Sequence, residues 1–323
     1  MIMRKISLLS FLLCTVVSGS MLHAQQLPDF TQYPSSLYQI NPAYTGTKDH
    51  IDANLDYRKQ WVGYEGAPVT QFFGLNSRLW KGRIGVGTSI YKDETGPTQR
   101  FDYGFTAAYH LHFPDVEFSM GFGVNFDKYT LDATKMTTHW ANDPTVDNAR
   151  TDFDKTKNTM VGMLLYNDRF HFGLGVVNMV NNKAQFFTDD TSKLSQVSFS
   201  PHYYFSCGYN FNGNPDYVWE NNIMGIYVIG LPLTLNYNLR VHYQEKIIAG
   251  AGWRLKDAVY LQAGYVFFKQ IQFIYSYDFG ISHLRGGHSG SHEVMIAYRM
   301  NLFGKQGGYK NFNNFQHQRY HIF

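Results

Sequence analysis

The chain has 323 residues, a formal net charge of +3 and a mean hydropathy of −0.31, and aromatic residues make up 17% of it. Acidic and basic residues are interspersed with no basic tract, which argues against a nucleic-acid partner. Beyond the N-terminal leader there is no run of about 18 apolar residues, so a helical membrane protein is excluded. A β-barrel stays possible, because alternation along its strands hides the apolar surface from an average over the sequence.

The first 24 residues have the pattern of a secretory signal peptide. Arg4 and Lys5 precede an apolar run from Ile6 to Val17, and small residues lead to Ala24. Such a leader is cut off, so we expect residues 1–24 to take no part in the fold. Cys207 is then the one mature cysteine, and its place on an alternating strand predicts packing and not redox chemistry.

Residues 25–48 precede the first convincing strand. They contain Pro28, Pro34 and Pro42, and the stretch from Asn41 to Gly46 predicts an ordered turn. We expect an extended arm here that either lines the lumen of a barrel or lies beneath it in the periplasm.

Strict alternation begins after this arm. Strands are predicted near Ile51 to Tyr57, Val69 to Leu79 and Ile84 to Ile90, followed by a hairpin from Gln99 to Lys128. In the hairpin every second residue is apolar or aromatic and the residues between are polar or small, a period of two that indicates strand. Its arms are longer than the usual 5 to 6 residues of soluble strands and match the 9 to 11 residues that cross a membrane.

Two long polar stretches, Tyr129 to Lys157 and Asn178 to Ser200, interrupt the later strands. Between them a strand pair is predicted at 158–166 and 169–177. Seven more strands are predicted after them, at about 203–211, 217–229, 233–243, 246–254, 258–268, 271–280 and 292–303. The total is about fourteen, and single-chain outer-membrane barrels have an even number of strands. The sequence therefore predicts an all-β, antiparallel, up-and-down transmembrane barrel over residues 49–303, followed by a tail at 304–323.

The lengths of the connections predict the orientation. Outer-membrane barrels have short periplasmic turns and longer outer loops. The connections after the even-numbered strands are all short, and the long connections all follow odd-numbered strands, although a few odd-numbered connections are short as well. We therefore expect the first strand to start in the periplasm, with both termini on that side of the outer membrane.

Charged residues of both signs fall on the polar face of the predicted strands. Their alternation places them in the lumen, where they are expected to form crossed ion pairs that fill and stiffen the interior. A conducting pore is the alternative, although a single-sign ring would suit ion selection better. The predicted lumen charges are Asp52, Asp56, Arg83, Asp102, Glu117, Arg240, Lys246, Arg254, Asp278, Glu293 and Arg299.

No pattern points to an enzyme or to a cofactor. Glycine-rich stretches at 82–87 and 173–175 keep strand parity and are not followed by a helix, so they favour barrel packing over phosphate binding. Histidines at 110 and 112, and at 283, 288 and 292, lack the carboxylate or cysteine spacing of a recognisable metal site. No Ser-His-Asp arrangement stands out.

One group of motifs is more specific. Gln32-Tyr33, Asn41 to Gly46 and the stretch from Tyr57 to Pro68, which contains Trp-Val-Gly-Tyr-Glu-Gly-Ala-Pro, are followed in order by Asp93 to Pro97, Tyr275 to Asp278 and Gly290 to Arg299. These segments resemble the PorP/SprF family of type IX secretion system membrane proteins over residues 25–303. The tail after Phe303 departs from the family, whose members typically stop at the last strand.

The resemblance implies an outer-membrane barrel that works with the type IX machinery linked to gliding motility. Such a protein assists in secreting or holding surface cargo such as large adhesins, so the implied partners are other secretion subunits, the cargo and outer-membrane lipid. A diffusion porin or small-molecule transporter, and an outer-membrane lipid hydrolase, are the alternatives from other classes.

The predicted partner-binding residues are Trp61, Tyr64, Gly66 and Pro68. Trp and Tyr are common in protein interfaces, and the glycines and the proline shape the backbone of this loop. Membership of Trp61 in the interfacial aromatic girdle is the alternative.

Overall fold

The computed structural model describes residues 29–300 except 49, 80–81, 137–150, 181–182, 190–191, 215, 283–286 and 288. The strands within these ranges are β1 (Ile51–Lys59), β2 (Val69–Leu79), β3 (Ile84–Thr95), β4 (Thr98–His112), β5 (Glu117–Asp132), β6 (Thr151–Tyr166), β7 (Phe170–Val177), β8 (Lys183–Asp189), β9 (Ser192–Ser198), β10 (His202–Asn214), β11 (Tyr217–Val228), β12 (Thr234–Tyr243), β13 (Ile247–Arg254), β14 (Ala258–Phe267), β15 (Ile271–Gly280) and β16 (Ser291–Met300). Short 3-10 turns occur at Tyr33–Ser35, Leu37–Gln39, Pro42–Tyr44 and Ala133–Lys135.

Fourteen of these described strands form one closed antiparallel barrel. Each pairs with its neighbours in the chain, except that β7 pairs with β10 and bypasses β8 and β9, which form a separate two-stranded sheet. The barrel closes where β1 pairs with β16 along nine residues. The predicted fold class, an up-and-down barrel of about fourteen strands, is confirmed.

The burial pattern is the reverse of that in a soluble protein. Large apolar side chains point outward, with Phe105 56% exposed, Phe122 52% and Leu261 54%, while Asp127 and Glu220 point inward and are buried. A barrel surrounded by lipid requires this arrangement, because its outer surface must be apolar and its interior can be polar. Within the described ranges, no helix is long and apolar enough to cross a membrane.

The two ends of the barrel differ in their connections. We call the end that carries the connections after β1, β3, β5, β7, β11, β13 and β15 the loop end, and the opposite end the turn end. At the turn end the strands are joined by short turns such as 113–116 and 244–246. The long connections at 60–68, 133–150 and 281–290 all lie at the loop end, which corresponds to the cell exterior in outer-membrane barrels.

The structure differs from the prediction in the two long polar stretches. β5 continues to Asp132 and β6 starts at Thr151, so both ends of the first stretch are strand, and the second contains β8 and β9. Beyond the bilayer the outer face of a strand no longer contacts lipid, so the apolar alternation that predicts membrane strands is lost there. The signal peptide at 1–24, the residues 25–28 of the arm, the strand end at 301–303 and the tail at 304–323 lie outside the described residues.

Candidate functional site

The segment from Asp29 to Lys48, which we call the plug, lies inside the barrel. Its 3-10 turns are local in origin, since Pro34 and Pro42 each occupy one of the first two positions of a turn and the Asn41 side chain accepts a hydrogen bond of 2.9 Å from the Ala43 amide. The plug runs along the lumen from the loop end, where Asp29 lies beside Arg254, to the turn end, where Lys48 lies beside Asp52. The N-terminus, which we expect in the periplasm, precedes Asp29 and lies outside the described part of the chain.

An apolar cluster holds the plug against one side of the wall. Side chains from β2, β6, β7, β10 and β11 that point into the lumen are apolar here, although a water-filled lumen would be lined by polar residues. The buried members of the cluster are Phe30, Tyr33, Leu37, Tyr38, Ala43, Tyr44, Phe72, Met160, Leu164, Val177, Tyr204 and Met224. Burial of this apolar surface stabilises the docked plug.

Inward-facing glycines make room for the plug. A Cβ atom on Gly74 would lie 1.1 Å from the Tyr38 hydroxyl, and one on Gly121 would lie 2.2 Å from the Pro42 carbonyl carbon. Larger residues at these wall positions would therefore collide with the docked plug. The alternation of glycine with aromatic residues in β5 and β7 is a sequence pattern that could have indicated a close partner inside the barrel.

Buried charges fasten the plug at the loop end. Arg58 lies 2.7 Å from Asp278 and 2.8 Å from Glu293, and its guanidinium also donates to the Thr31 hydroxyl. Glu293 accepts hydrogen bonds from the backbone amides of Thr31 and Gln32, at 2.9 and 2.7 Å. The plug backbone thus completes the coordination of a buried carboxylate.

A second set of contacts fastens the plug at the turn end. Lys48 forms an ion pair of 2.8 Å with Asp52, and Arg78 donates to the Gly46 carbonyl at 2.5 Å. Burial lowers the pKa of the Lys48 ammonium, which the charge of Asp52 opposes. At the loop end burial raises the pKa of the Asp29 carboxyl, which the charges of Arg254 and Arg58 oppose. Both terminal charges of the plug therefore depend on their wall partners to offset the cost of burial.

Six of the predicted lumen charges take part in ion pairs inside the barrel. They are Asp52, Asp102, Glu117, Arg254, Asp278 and Glu293. Their partners lie on the plug, on the same strand, or on wall strands one to three places around the barrel. Arg240 instead binds the plug directly, donating to Gln32 and Ser35 at 2.7 Å each.

The other predicted lumen charges divide into two groups. Asp56 is buried against Gln39 of the plug at 3.4 Å, and the half-buried Arg299 donates to Gln272 at 2.8 Å. Arg83 and Lys246 were wrongly placed in the lumen, since both are exposed residues of turns at the turn end. The alternation that assigns a face holds only within a strand and is lost in a turn.

Several buried charges were missed from the sequence. Arg58, Arg100 and Asp127 form ion pairs in the lumen, and Glu220 accepts a hydrogen bond of 2.9 Å from His242. The same period-two parity that selected Asp52 would also have selected Arg58. Parity identifies the face of each residue, whereas the choice of partner depends on the register between strands.

A small cavity remains between the plug and the wall. Its volume is about 80 Å³, and Arg100 and Asp102 lie at its polar side. The apolar part of its lining includes Phe30, Tyr38, Phe72, Met160 and Met224. A space of this size holds several water molecules, at roughly 10 to 15 Å³ for each.

The loop between β1 and β2 is ordered by its neighbours at the loop end. The Val62 amide donates to the Gly290 carbonyl at 2.8 Å, and the Gly96 amide donates to the Gly66 carbonyl at 2.9 Å. Among the predicted partner-binding residues, the Tyr64 side chain is 53% exposed to solvent, and Trp61 is half-buried with a φ of +44°. Gly66 is exposed at a φ of +72°, whereas Pro68 is buried.

A second packed unit projects at the loop end. The extensions of β5 and β6 pair with each other and bury their inner face against β8 and the segment before β10. The Tyr129 and Phe199 rings lie 4.5 Å apart, and Ala133, Ala184 and Phe186 are buried beside them. This unit, together with the 60–68 loop, gives the loop end a preformed surface.

The described residues contain no group of three or more histidine, cysteine or acidic side chains that could hold a metal ion. His283 and His288 of the predicted histidine cluster lie outside the described ranges, and His110 binds the Tyr166 hydroxyl and the Thr45 carbonyl of the plug. Cys207 is a free, half-buried cysteine.

Comparison with known proteins gives one sequence-based match. A family model described as type IX secretion system membrane protein PorP/SprF matches residues 22–298. No curated protein matches the chain.

Several solved outer-membrane structures are similar to this chain at low sequence identity. They include Omp33 of Acinetobacter baumannii, with 7% identity, a TM-score of 0.46 and coverage of 79% of this chain and all of that one. The toluene transporter TodX of Pseudomonas putida has 10% identity, a TM-score of 0.47 and coverage of 87% and 96%. The translocator domain of the autotransporter NalP from Neisseria meningitidis has 10% identity, a TM-score of 0.41 and coverage of 80% and 90%.

Proposed function

Because this chain belongs to the PorP/SprF family of type IX secretion system membrane proteins, we propose that it assists the secretion or surface anchoring of particular cargo proteins. Large adhesins used in gliding motility are the cargo that we propose, and other subunits of the secretion system are the partners. The match of the family model over residues 22–298 is the observation that carries this proposal. The protein acts as an integral barrel of the outer membrane, with its C-terminal side, after β16 ends at the turn end, in the periplasm.

The filled lumen supports a role in binding over a role in conduction. The plug is held by hydrogen bonds and ion pairs at both ends and by an apolar cluster between them, and the cavity beside it near Arg100 has a volume of about 80 Å³. An exported polypeptide would not pass through this interior while the plug is docked. The same observation speaks against the alternative of a diffusion porin or small-molecule transporter.

The loop end is the surface that we assign to the partner. Its 60–68 loop presents Trp61 and Tyr64 on a backbone that is hydrogen-bonded to two neighbouring loops. A preformed surface loses little conformational entropy on binding, and exposed aromatic side chains commonly supply much of the binding energy.

A deletion strain tests the proposal. Without the gene, we expect one or a few cargo proteins to be lost from the cell surface, and the wild-type gene to restore them. Cross-linking on intact cells followed by purification of the barrel should recover those proteins with type IX subunits. An unchanged surface proteome, together with a steady large conductance of the purified barrel in planar bilayers, would replace this function by that of a porin.

A further inference from the structure

Lysine residues line up on the outer wall of the barrel near the loop end. Cross-strand pairing sets Lys92 opposite Phe101, Phe101 opposite Lys128, and Lys128 opposite Lys155, so these four residues follow one another around β3 to β6. Lys157 lies one step closer to the turn end, opposite Phe126. We call Lys92, Lys128, Lys155 and Lys157 the lysine row; the last three are exposed.

The height of the row coincides with the edge of the lipid-facing band. On β5 the outward residues from Phe118 to Phe126 are Phe118, Met120, Phe122, Val124 and Phe126, and Lys128 comes next. Ten residues at ~3.4 Å each, on a strand tilted by ~40°, rise ~26 Å along the membrane normal. The apolar band of an outer-membrane barrel is about 25 Å tall, so Lys128 lies where hydrocarbon gives way to headgroups.

The positive charges of the lysine row favour the binding of an anion between them. Lys128 and Lys155 are direct cross-strand partners, and like charges in such a pair destabilise a sheet. Lys128 Nζ lies 4.5 Å from the centre of the Phe153 ring, which keeps its cation at the surface. Lys92 already has an acidic neighbour, since its Nζ lies 2.6 Å from Glu94. The facing pair of Lys128 and Lys155 is therefore the part of the row that best suits an added negative group, and Lys157 lies one step from it.

The lysine row occupies one side of the barrel. The described strands β11 to β16 contain no lysine, and their outward residues near the loop end include Tyr227, Trp253 and Phe279. Those aromatic side chains form the usual interfacial belt, which has no preference for charge. A feature needed only to position the barrel in lipid would be repeated around the whole circumference.

We propose that Lys128, Lys155 and Lys157 bind the phosphate groups of a phosphorylated glycolipid in the outer leaflet of the membrane. The flanking Phe101 and Phe126 contact the upper part of its acyl chains, and the three ammonium groups neutralise its phosphates. The lipid would then lie directly beside the projecting extension of β5 and β6, which it supports from outside. This lipid site is independent of the proposed role in secretion.

Native mass spectrometry of the full-length barrel in detergent, titrated with diphosphorylated lipid A, tests the site. We expect adducts with the wild type, and binding more than about tenfold weaker in the variant Lys128→Gln/Lys155→Gln/Lys157→Gln, since each interfacial lysine contributes substantially to the attraction of an anionic lipid. Lys246→Gln/Lys256→Gln/Lys269→Gln removes three exposed lysines away from the row and should bind like the wild type. Dephosphorylated lipid A should bind the wild type as weakly as the row variant binds the phosphorylated lipid.

Two further measurements remain decisive even if the row variant does not fold. Binding to the wild type should weaken strongly between 50 and 500 mM salt, because exposed charges are screened, and the variant with arginine at all three positions should retain the lipid. Equal binding of phosphorylated and dephosphorylated lipid A would overturn the proposal. So would displacement of the lipid by an equal concentration of inorganic phosphate, which would make this a site for free anions.

Discussion

Arg58 and Glu293 are direct cross-strand partners at the seam where β1 closes the barrel onto β16, and their side chains form a buried ion pair of 2.8 Å. The same Glu293 carboxylate accepts the backbone amides of Thr31 and Gln32. One side chain therefore joins closure of the barrel to docking of the plug. Its loss should affect both.

Replacing Glu293 by Gln should destabilise the folded barrel. The substitution leaves Arg58 with one ionic partner fewer in the interior, and breaking a buried pair costs about 3 to 5 kcal/mol. The temperature at which the compact form disappears from unboiled gels should fall. Glu65→Gln, at an exposed loop position, is the control and should behave like the wild type; equal behaviour of the two variants would remove Glu293 from this structural role.

Gly121→Ala should displace the plug. The added Cβ would fall 2.2 Å from the Pro42 carbonyl carbon, so the wall or the plug must shift, at a cost of about 1 to 3 kcal/mol. Thermal unfolding in detergent should occur at lower temperature, and limited proteolysis should cut residues 29–48 more readily. Gly225→Ala meets its nearest atom at 3.5 Å and should be tolerated. Identical proteolysis of both variants would contradict close docking at Pro42.

Arginine at Phe105 or Phe122 should impair membrane insertion. Both side chains point outward from the middle of the lipid-facing band, where a cation costs roughly 2 to 4 kcal/mol. The amount of heat-modifiable protein in the outer membrane should fall. Phe153→Arg changes an equally exposed aromatic residue above that band, and should have a much smaller effect. Normal yield of all three variants would refute the assigned lipid face.

The double variant Trp61→Ala/Tyr64→Ala should leave the barrel abundant while one cargo protein is lost from the cell surface. The loop backbone is held by hydrogen bonds between main-chain atoms, which the substitutions retain, so folding should not depend on the two rings. Antibody labelling of intact cells measures retention, and Phe268→Ala, at an 87% exposed aromatic at the turn end, is the control. A parallel loss of barrel and cargo would assign Trp61 to the aromatic girdle instead.

Purified wild-type protein should conduct ions poorly in planar bilayers. The plug contacts the wall at both ends of the lumen, and the cavity beside it is only about 80 Å³. Gly121→Ala should raise the conductance if it displaces the plug, whereas Gly225→Ala should not. Steady, large channels from the wild type would show that the lumen is open in the membrane.

The strands within the bilayer could be predicted from the sequence because the signal for them is local. Lipid outside and polar groups inside force each strand to alternate, so residues such as Phe105 and Thr106 reveal their faces without knowledge of their neighbours. Alternation did not predict the structure correctly where a strand leaves the bilayer or ends in a turn. Thr151 to Lys155 continue β6 beyond the lipid-facing band, where no lipid selects apolar residues on the outer face, and Arg83 and Lys246 lie in turns.

The filling of the lumen was decided by tertiary structure. Arg58 meets Glu293 and Asp278 only because closure of the barrel brings β1 beside β16. The plug lies beside them because wall glycines leave room for it and the Glu293 carboxylate accepts its amides. The sequence by itself determined the number of barrel strands, their facing and the family, since these depend on period and motif. Which charges pair, and what fills the barrel, depend on contacts between residues more than two hundred positions apart.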